Sequence, residues 1–104
     1  MARTYVVDIA GGTATATVQI QGSQTLKQCY LSYLNAAAGK IEVSKSSVSQ
    51  IGTAQPTSDV IARASVGASG QSNVVVPINW PVKAFDNVYV HCTGAGNLGT
   101  ATLA

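Results

Sequence analysis

The chain has 104 residues, of which six Lys or Arg and four Asp or Glu make up a charged fraction of only 10%, with a formal net charge of +2. This length is that of one domain, and so small and dispersed a positive charge argues against a nucleic-acid-binding surface. No stretch approaches the roughly 18 apolar residues of a membrane span, and the N-terminus lacks a signal peptide's apolar run and cleavage site. We therefore expect one domain over residues 1–104 that contacts neither nucleic acid nor membrane.

The first 21 residues predict two strands joined by a glycine turn. Residues 4–9 alternate, with Tyr5, Val7 and Ile9 on one face, and residues 13–21 alternate again after Gly11-Gly12. A period of two is typical of a strand with one buried face, and a glycine pair between two such runs favours a hairpin. We expect the two strands to pair, with a Thr and Gln face that is solvated or contacts another subunit.

Residues 26–34 (LKQCYLSYL) fit two patterns. A strand would place every second residue from Cys29 to Tyr33 inward, whereas a helix would place Leu26, Tyr30 and Leu34 on one face. Periodicity alone does not decide between them. The aromatic content favours the strand.

The middle of the chain predicts strands around a long polar connection. Residues 40–45 read as a strand with Ile41 and Val43 inward, and residues 46–58 are rich in Ser, Thr and Gln. We expect this second segment to be irregular, with one short strand, because it offers only two apolar anchors, Val48 and Ile51.

Residues 59–66 fit either a strand or a single helical turn, and residues 67–72 (GASGQS) read as a flexible turn.

The last third is more regular, with alternation at Val74, Val76, Ile78 and Trp80. Two prolines, Pro77 and Pro81, favour an edge or bulged strand there. After a turn over residues 82–87, we expect a strand with Val88, Val90 and Cys92 inward and Tyr89 and His91 opposite, then glycines and a final strand, 100–103.

Six to nine short strands with turn signals every eight to twelve residues indicate an all-β fold. The sequence therefore predicts a single-domain antiparallel β-sandwich or jelly roll. Cys29 and Cys92 each lie in an apolar run without metal-ligand or redox spacing, so we expect two buried thiols, with a disulfide as the alternative.

Catalytic chemistry finds little support in the sequence. His91 is the one histidine and has no nucleophile at a recognisable spacing, so we expect a surface or interface residue. The four carboxylates are scattered, which argues against glycoside chemistry and against a calcium site. Residues 94–99 (GAGNLG) read as a tight turn, because a phosphate-binding loop must open a helix. We expect no enzyme activity, no cofactor and no metal.

The chain's ending, PVKAFDNVYVHCTGAGNLGTATL, resembles the closing strands of small virion β-sandwich proteins, in which a K-A-x-D-x-V-Y-V step precedes a glycine turn and a last strand. The charge-poor composition, rich in Ser, Thr, Ala and Gly, is similar to that of tailed-phage capsid decoration (cement) proteins. The detailed likeness covers about the last quarter of the chain.

This resemblance implies a structural virion component, made in the host cytoplasm, that binds and stabilises the major capsid protein shell as a homotrimer. The chain ends, residues 1–4 and 103–104, would serve as arms that add a strand to a neighbour. The candidate interface residues are Met1, Ala2, Arg3, Thr4, Trp80, Tyr89 and His91.

The alternative is a carbohydrate- or receptor-binding β-sandwich module. Aromatic faces suit the apolar faces of sugars, and the candidates for such a platform are Trp80, Tyr30, Tyr33 and Tyr89. The competing interpretation is that the few aromatic residues are needed in the core. A sugar site would require some of them to be exposed.

Overall fold

A computed structural model describes residues 3–10, 14–35, 38–55, 57–66, 70–94 and 98–104. These residues form eight strands and no helix. No helix in the described ranges is long and apolar enough to cross a membrane. The strands are β1 (Tyr5–Ala10), β2 (Ala14–Gln19), β3 (Gln24–Asn35), β4 (Gly39–Ser44), β5 (Val60–Val66), β6 (Gly70–Val82), β7 (Asn87–Cys92) and β8 (Leu98–Leu103).

The strands form two antiparallel four-stranded sheets that pack face to face. Sheet A has the order β1-β8-β3-β6, and sheet B has the order β2-β7-β4-β5. The first strand pairs with the last, β2 with β7, β3 with β6 and β4 with β5. This nesting is that of one long hairpin rolled into two sheets, which is a jelly roll. The predicted fold class is confirmed.

The predicted hairpin between the first two strands is wrong. Tyr5 on β1 pairs with Leu103 in sheet A, while Ala14 on β2 pairs with Cys92 in sheet B. The two strands therefore lie in opposite sheets, and Gly11-Gly12 fall outside the described residues. Alternation identifies a strand and its buried face, and that face is confirmed by buried Tyr5 and Ile9. It does not identify the partner strand, because either arrangement buries the same side chains.

The core lies between the sheets and consists of the inward side chains of both. Removing this apolar area from water stabilises the fold, with roughly 1.5–3 kcal/mol for each fully buried Val, Leu or Ile. The core apolar side chains with at most 1% exposure are Ile20, Leu26, Cys29, Leu31, Val43, Val88, Val90, Ala101 and Leu103. The inward faces predicted around residues 41–43 and 88–92 are confirmed.

Residues 26–34, which fit either a strand or a helix in the sequence, form a strand. The segment lies within β3, which pairs with β6 on one side and β8 on the other. Strand β6 is an edge strand, and the register shifts between Leu26 and Gln28 opposite its Pro77–Pro81 stretch. This agrees with the edge or bulge that the prolines predict. Strand β6 begins at Gly70, however, so the turn predicted over 67–72 is too long; residues 67–69 lie outside the described ranges.

Strands β4 and β5 frame the long polar connection. The alternative of a helical turn over 59–66 is wrong, because β5 occupies this segment. Gly39 begins β4, where a Cβ would collide with the carbonyl oxygen of Thr93. The described residues between the two strands, 45–55 and 57–59, contain no strand, so the short strand predicted there is wrong. We call residues 45–59 the strap.

The end of the chain belongs to sheet A and is not a free arm. Leu103 is fully buried, and β8 is a central strand between β1 and β3. Beyond it, the backbone of Ala104 exchanges hydrogen bonds of 3.0 and 3.1 Å with Gln28. The arm predicted for residues 103–104 is therefore wrong, because their backbone groups are already paired within the chain.

Cys29 and Cys92 are buried thiols that no disulfide joins, as predicted. Cys29 faces the core from β3 with no measurable exposure. Burial raises the pKa of its thiol from 9.0 to about 11, because the thiolate would lose its hydration. The thiolate is the reactive form of cysteine, so this side chain is an inert part of the core.

Candidate functional site

A row of four polar side chains crosses the outer face of sheet B, one from each strand. The strand register places Thr15 beside His91, His91 beside Glu42, and Glu42 beside Arg63. His91 and Glu42, in the middle of the row, are 1% and 0% exposed. Of the two roles predicted for His91, that of a surface residue is wrong, while a role at an interface stays a prediction. Of the four scattered carboxylates, Glu42 is buried here beside a cation. Both side chains point outward from the sheet but are covered by the strap.

The strap is fastened to this row by hydrogen bonds from its backbone. The Gln50 N–H donates to Oε1 of Glu42 at 3.0 Å, and Oε2 of the same carboxylate accepts from Nε of Arg63 at 3.3 Å. The Arg63 guanidinium also donates to the carbonyl oxygens of Gln50 and Thr53. Glu42 thus satisfies a backbone donor and a cation at once, which is what a buried carboxylate requires.

The imidazole of His91 joins the strap to the edge of the sheet. Its Nε2 lies 2.9 Å from the carbonyl oxygen of Ser46, and its Nδ1 lies 2.9 Å from the hydroxyl of Thr15. A carbonyl oxygen only accepts, so Nε2 carries the proton, and in the neutral ring Nδ1 accepts from Thr15. The ring stacks on Tyr89 with 6.2 Å between centroids and 6° between planes.

Thr15 and His91 are the residue types of a nucleophile and a base, but their surroundings do not complete a catalytic set. The group on Nε2 is a backbone carbonyl instead of an orienting carboxylate, and the nearby Glu42 is committed to Arg63 and the strap. Nucleophilic catalysis needs base, nucleophile and orienting group acting on an accessible substrate. The row is therefore best explained as the fastening of the strap.

A small cavity lies beside the fastening. Of the two anchors predicted in this segment, Ile51 is half-buried and lines a small cavity of about 140 Å³ with Ile41 of β4. Val48 is 69% exposed and anchors nothing. No group of three or more His, Cys, Asp or Glu among the described residues is arranged to hold a metal ion.

The outer face of sheet A is different, because no segment of the described chain covers its central cross-strand row. The register aligns Val6, Thr102, Tyr30 and Val75 in this row across all four strands. Val6 is 62% exposed and Val75 56% exposed, while Tyr30 and Thr102 are half-buried. We call these four residues the bare row. The neighbouring row adds one charge, at Asp8, and is otherwise polar and neutral.

A third surface lies at the end of the sandwich where β6 leads into β7. Trp80, Phe85 and Tyr89 line a depression of about 350 Å³. Lys45, Asp86 and Asn87 complete its lining. The structure thus brings together Trp80 and Tyr89, both predicted as site residues, and adds Phe85. Trp80 is only 9% exposed and also packs in the core, whereas Phe85 is 74% exposed.

Phe85 occupies an unusual backbone position. The Asp86 N–H donates to the Lys83 carbonyl oxygen at 3.1 Å, and the Lys83 N–H donates to Oδ2 of Asp86 at 2.8 Å, which closes a tight turn. Phe85 has a φ of +73° at the third position of this turn, where Gly or Asn is favoured. A side chain with a Cβ in this region costs roughly 1–2 kcal/mol. The sequence predicts a turn here, but nothing in it indicates a strained and exposed aromatic residue.

The N-terminal candidates lie elsewhere. Arg3 and Thr4 are exposed, and the side-chain amide of Gln24 holds the backbone of Arg3 by two hydrogen bonds of 3.0 and 2.8 Å. Met1 and Ala2 fall outside the described residues. A role for residues 1–4 as an arm stays a prediction.

Comparison of the chain with protein-family models, with curated proteins and with solved structures finds no match. The functional argument therefore depends on the three surfaces themselves. They are the fastened strap on sheet B, the bare row on sheet A and the aromatic depression at the end of the sandwich.

Proposed function

We propose that this protein is a structural virion component, a capsid decoration protein that binds the major capsid shell through the outer face of sheet A. The observation that carries the proposal is the bare row, in which exposed Val6 and Val75 flank Tyr30 and Thr102. The charged residues on the strands of this face are one anion, Asp8, and one cation, Lys27. Exposed apolar patches rimmed by neutral polar residues are typical of protein–protein interfaces. The jelly roll, which recurs in viral capsid and lectin domains, supports it by analogy.

The size of this face fits a stable interface. The molecule measures 38 × 26 × 20 Å, and its thin dimension corresponds to the two stacked sheets. Its broad side is therefore roughly 1,000 Å², compared with about 800 Å² for each partner in a standard protein–protein interface. A charge-poor face also avoids repulsion where many copies are placed close together on one shell.

The fastened strap supports the same function indirectly. Glu42 and His91 find hydrogen-bond partners within the chain, so the buried polar groups on the outer side of sheet B need no partner protein. Sheet A is left as the flat surface open to a partner. A subunit that presents one rigid face loses little conformational entropy on binding.

The test is binding of the purified protein to shells assembled from the major capsid protein encoded with it, followed by co-sedimentation. We expect Val75→Lys and Val6→Lys to weaken binding at least about tenfold, because each would place an unpaired charge in the interface. Thr17→Lys, at an exposed position on sheet B, is the control and keeps wild-type binding. Equal binding by all three variants would contradict the proposal.

Self-association is tested separately by light scattering at several concentrations. We expect the mass of a homotrimer, three times the 10.6 kDa of the chain. A monomer at all concentrations would contradict the trimer and restrict decoration to binding of single copies on the shell.

A further inference from the structure

The turn at Phe85 combines two features that folding does not explain. The residue is 74% exposed, so it adds little to the core, and its positive φ is a conformation that Gly or Asn adopts with less strain. Strained residues that persist in a structure cluster at binding sites. An exposed aromatic ring in such a position is explained best by what it contacts outside the chain.

The turn holds the backbone of Phe85 in a fixed position. The Phe85 N–H donates to the carbonyl oxygen of Ile20 at 2.7 Å, and the Ile20 N–H donates to that of Asp86 at 2.8 Å. Ile20 is itself fully buried. The ring therefore stands on a backbone turn that two hydrogen bonds tie to one core residue, and a preorganised backbone lowers the entropy cost when a ligand binds.

We propose that the depression lined by Trp80, Phe85 and Tyr89 is a binding site for a neutral saccharide. Its aromatic side chains offer faces for the apolar side of a sugar ring. Beside them, Asn87 and Asp86 supply planar polar groups that donate to and accept from hydroxyls, and Lys45 adds donors. One cation and one anion balance each other, so the lining favours an uncharged, hydroxyl-rich ligand over an ion. A volume of about 350 Å³ is within the range of small-molecule sites.

This site is independent of the proposed capsid contact. The depression lies at the β6–β7 end of the sandwich, whereas the bare row crosses the outer face of sheet A. Shell binding and saccharide binding can therefore each fail without the other. A virion subunit with both surfaces would hold the shell by one and contact a glycan by the other.

The chain provides its own probe, because Trp80 is its single tryptophan and lines the depression. We expect the Trp80 fluorescence to change saturably on titration with at least one member of a panel of glucose, galactose, mannose, N-acetylglucosamine and their β-linked disaccharides, at up to about 50 mM. Isothermal titration calorimetry on the same sugar gives an independent dissociation constant.

The decisive variant is Phe85→Asn, because binding and folding should respond in opposite directions. We expect the affinity for the sugar to fall about tenfold or more through loss of the aromatic face, while Tm rises by roughly 4 °C as the backbone strain is relieved. Val48→Asn, which removes an exposed apolar side chain from the strap, is the matched control and leaves the sugar affinity unchanged. Phe85→Tyr keeps the ring and retains binding.

Two results would overturn the proposal. The first is a Trp80 signal and a calorimetric trace that stay flat for every sugar in the panel. The second is a sugar affinity that is the same in Phe85→Asn and the unsubstituted protein, which would place any binding outside the depression. A fall in Tm for Phe85→Asn would show instead that Phe85 has a folding role, which removes the argument from strain.

Discussion

The two outer faces of this sandwich are both formed by four antiparallel strands, but they differ in which side chains are covered. Sheet B carries a row of titratable side chains, including Glu42 and His91, and buries them under the strap. Sheet A carries Val6 and Val75 at the two ends of its bare row, on its edge strands, and leaves them exposed. On these two outer faces, two ionisable side chains are covered and two apolar side chains are exposed, which is the reverse of the usual distribution, although the core between the sheets is apolar.

The difference shows on which face the chain itself covers and hydrogen-bonds the outward side chains. On sheet B the register brings a carboxylate, a guanidinium and an imidazole together, and the strap's backbone groups complete their hydrogen bonds. On sheet A no described segment performs this task for the bare row. The strap therefore covers buried polar groups on sheet B, whereas the bare row on sheet A is the surface to which the proposed function assigns a partner.

The largest expected effect comes from removing the centre of the fastening. Glu42→Ala would leave the Gln50 N–H and the Arg63 guanidinium without their shared acceptor. We expect the free energy of unfolding to fall by about 3 kcal/mol, the low end for a broken buried pair, because the Arg63 side chain is 32% exposed and can rehydrate. Urea denaturation followed by circular dichroism measures this change.

The matched control for this substitution lies on the other face. Asp8→Ala removes an exposed carboxylate from β1 of sheet A and should change stability by no more than about 0.5 kcal/mol. An equal loss in the free energy of unfolding for the two variants would show that the strap contacts of Glu42 add no more stability than an exposed carboxylate on sheet A.

The second effect concerns the inner side of sheet A, where Cys29 is buried with a pKa raised to about 11. In the unfolded chain the thiol ionises near its ordinary value of 9.0, so between these values the unfolded state loses its proton first. Stability is therefore fully present below pH 9 and falls as the pH rises to 11, by on the order of 2–3 kcal/mol. Urea denaturation across this pH range gives the curve.

Other groups also titrate in this range, so the informative quantity is a difference between two proteins. Cys29→Ala removes the thiol and shifts stability by a constant at every pH, but its curve should lack the thiol's fall between pH 9 and 11. Parallel curves for the two proteins would show that the Cys29 thiol does not ionise on unfolding.

The sequence predicts a β-sandwich or jelly roll and most inward faces because strands and their buried sides depend on local alternation. Buried Leu31 and Val90 follow directly from a period of two. The pairing of β1 with β8 does not, since the same alternation is satisfied in a hairpin. Strand partners are set by contacts between distant parts of the chain, which a local pattern does not contain.

The candidate sites show the same limit. His91 and Glu42 occupy outward positions of their strands, and their burial depends on the strap, whose polar sequence gives no sign of where it folds. Of the residues that line the aromatic depression, the sequence predicts Trp80 and Tyr89 as site residues. The sequence does not predict Phe85 as a site residue. What distinguishes it is a φ of +73°, and the usual sequence signal for a positive φ is Gly or Asn, which this position lacks.

The smallest expected effect tests the exposed end of the polar row. Thr15→Val removes the hydroxyl beside Nδ1 of His91 while keeping the shape and the strand propensity of the side chain. We expect a loss of about 1 kcal/mol in the free energy of unfolding, the typical net value of one hydrogen bond. Nitrogen NMR of the imidazole should also change at Nδ1, with the proton staying on Nε2 because Ser46 still accepts it.

The control lies two residues away on the same strand and the same face. Thr17 is exposed as Thr15 is, but it pairs in register with Tyr89 rather than with the histidine. Thr17→Val should therefore leave both the stability and the His91 resonances unchanged. If the two valine variants behave alike, the Thr15 hydroxyl contributes nothing to the fastening, and the row reduces to the Glu42, Arg63 and His91 contacts with the strap. If only Thr15→Val is destabilised, the fastening reaches across all four strands to the edge strand β2.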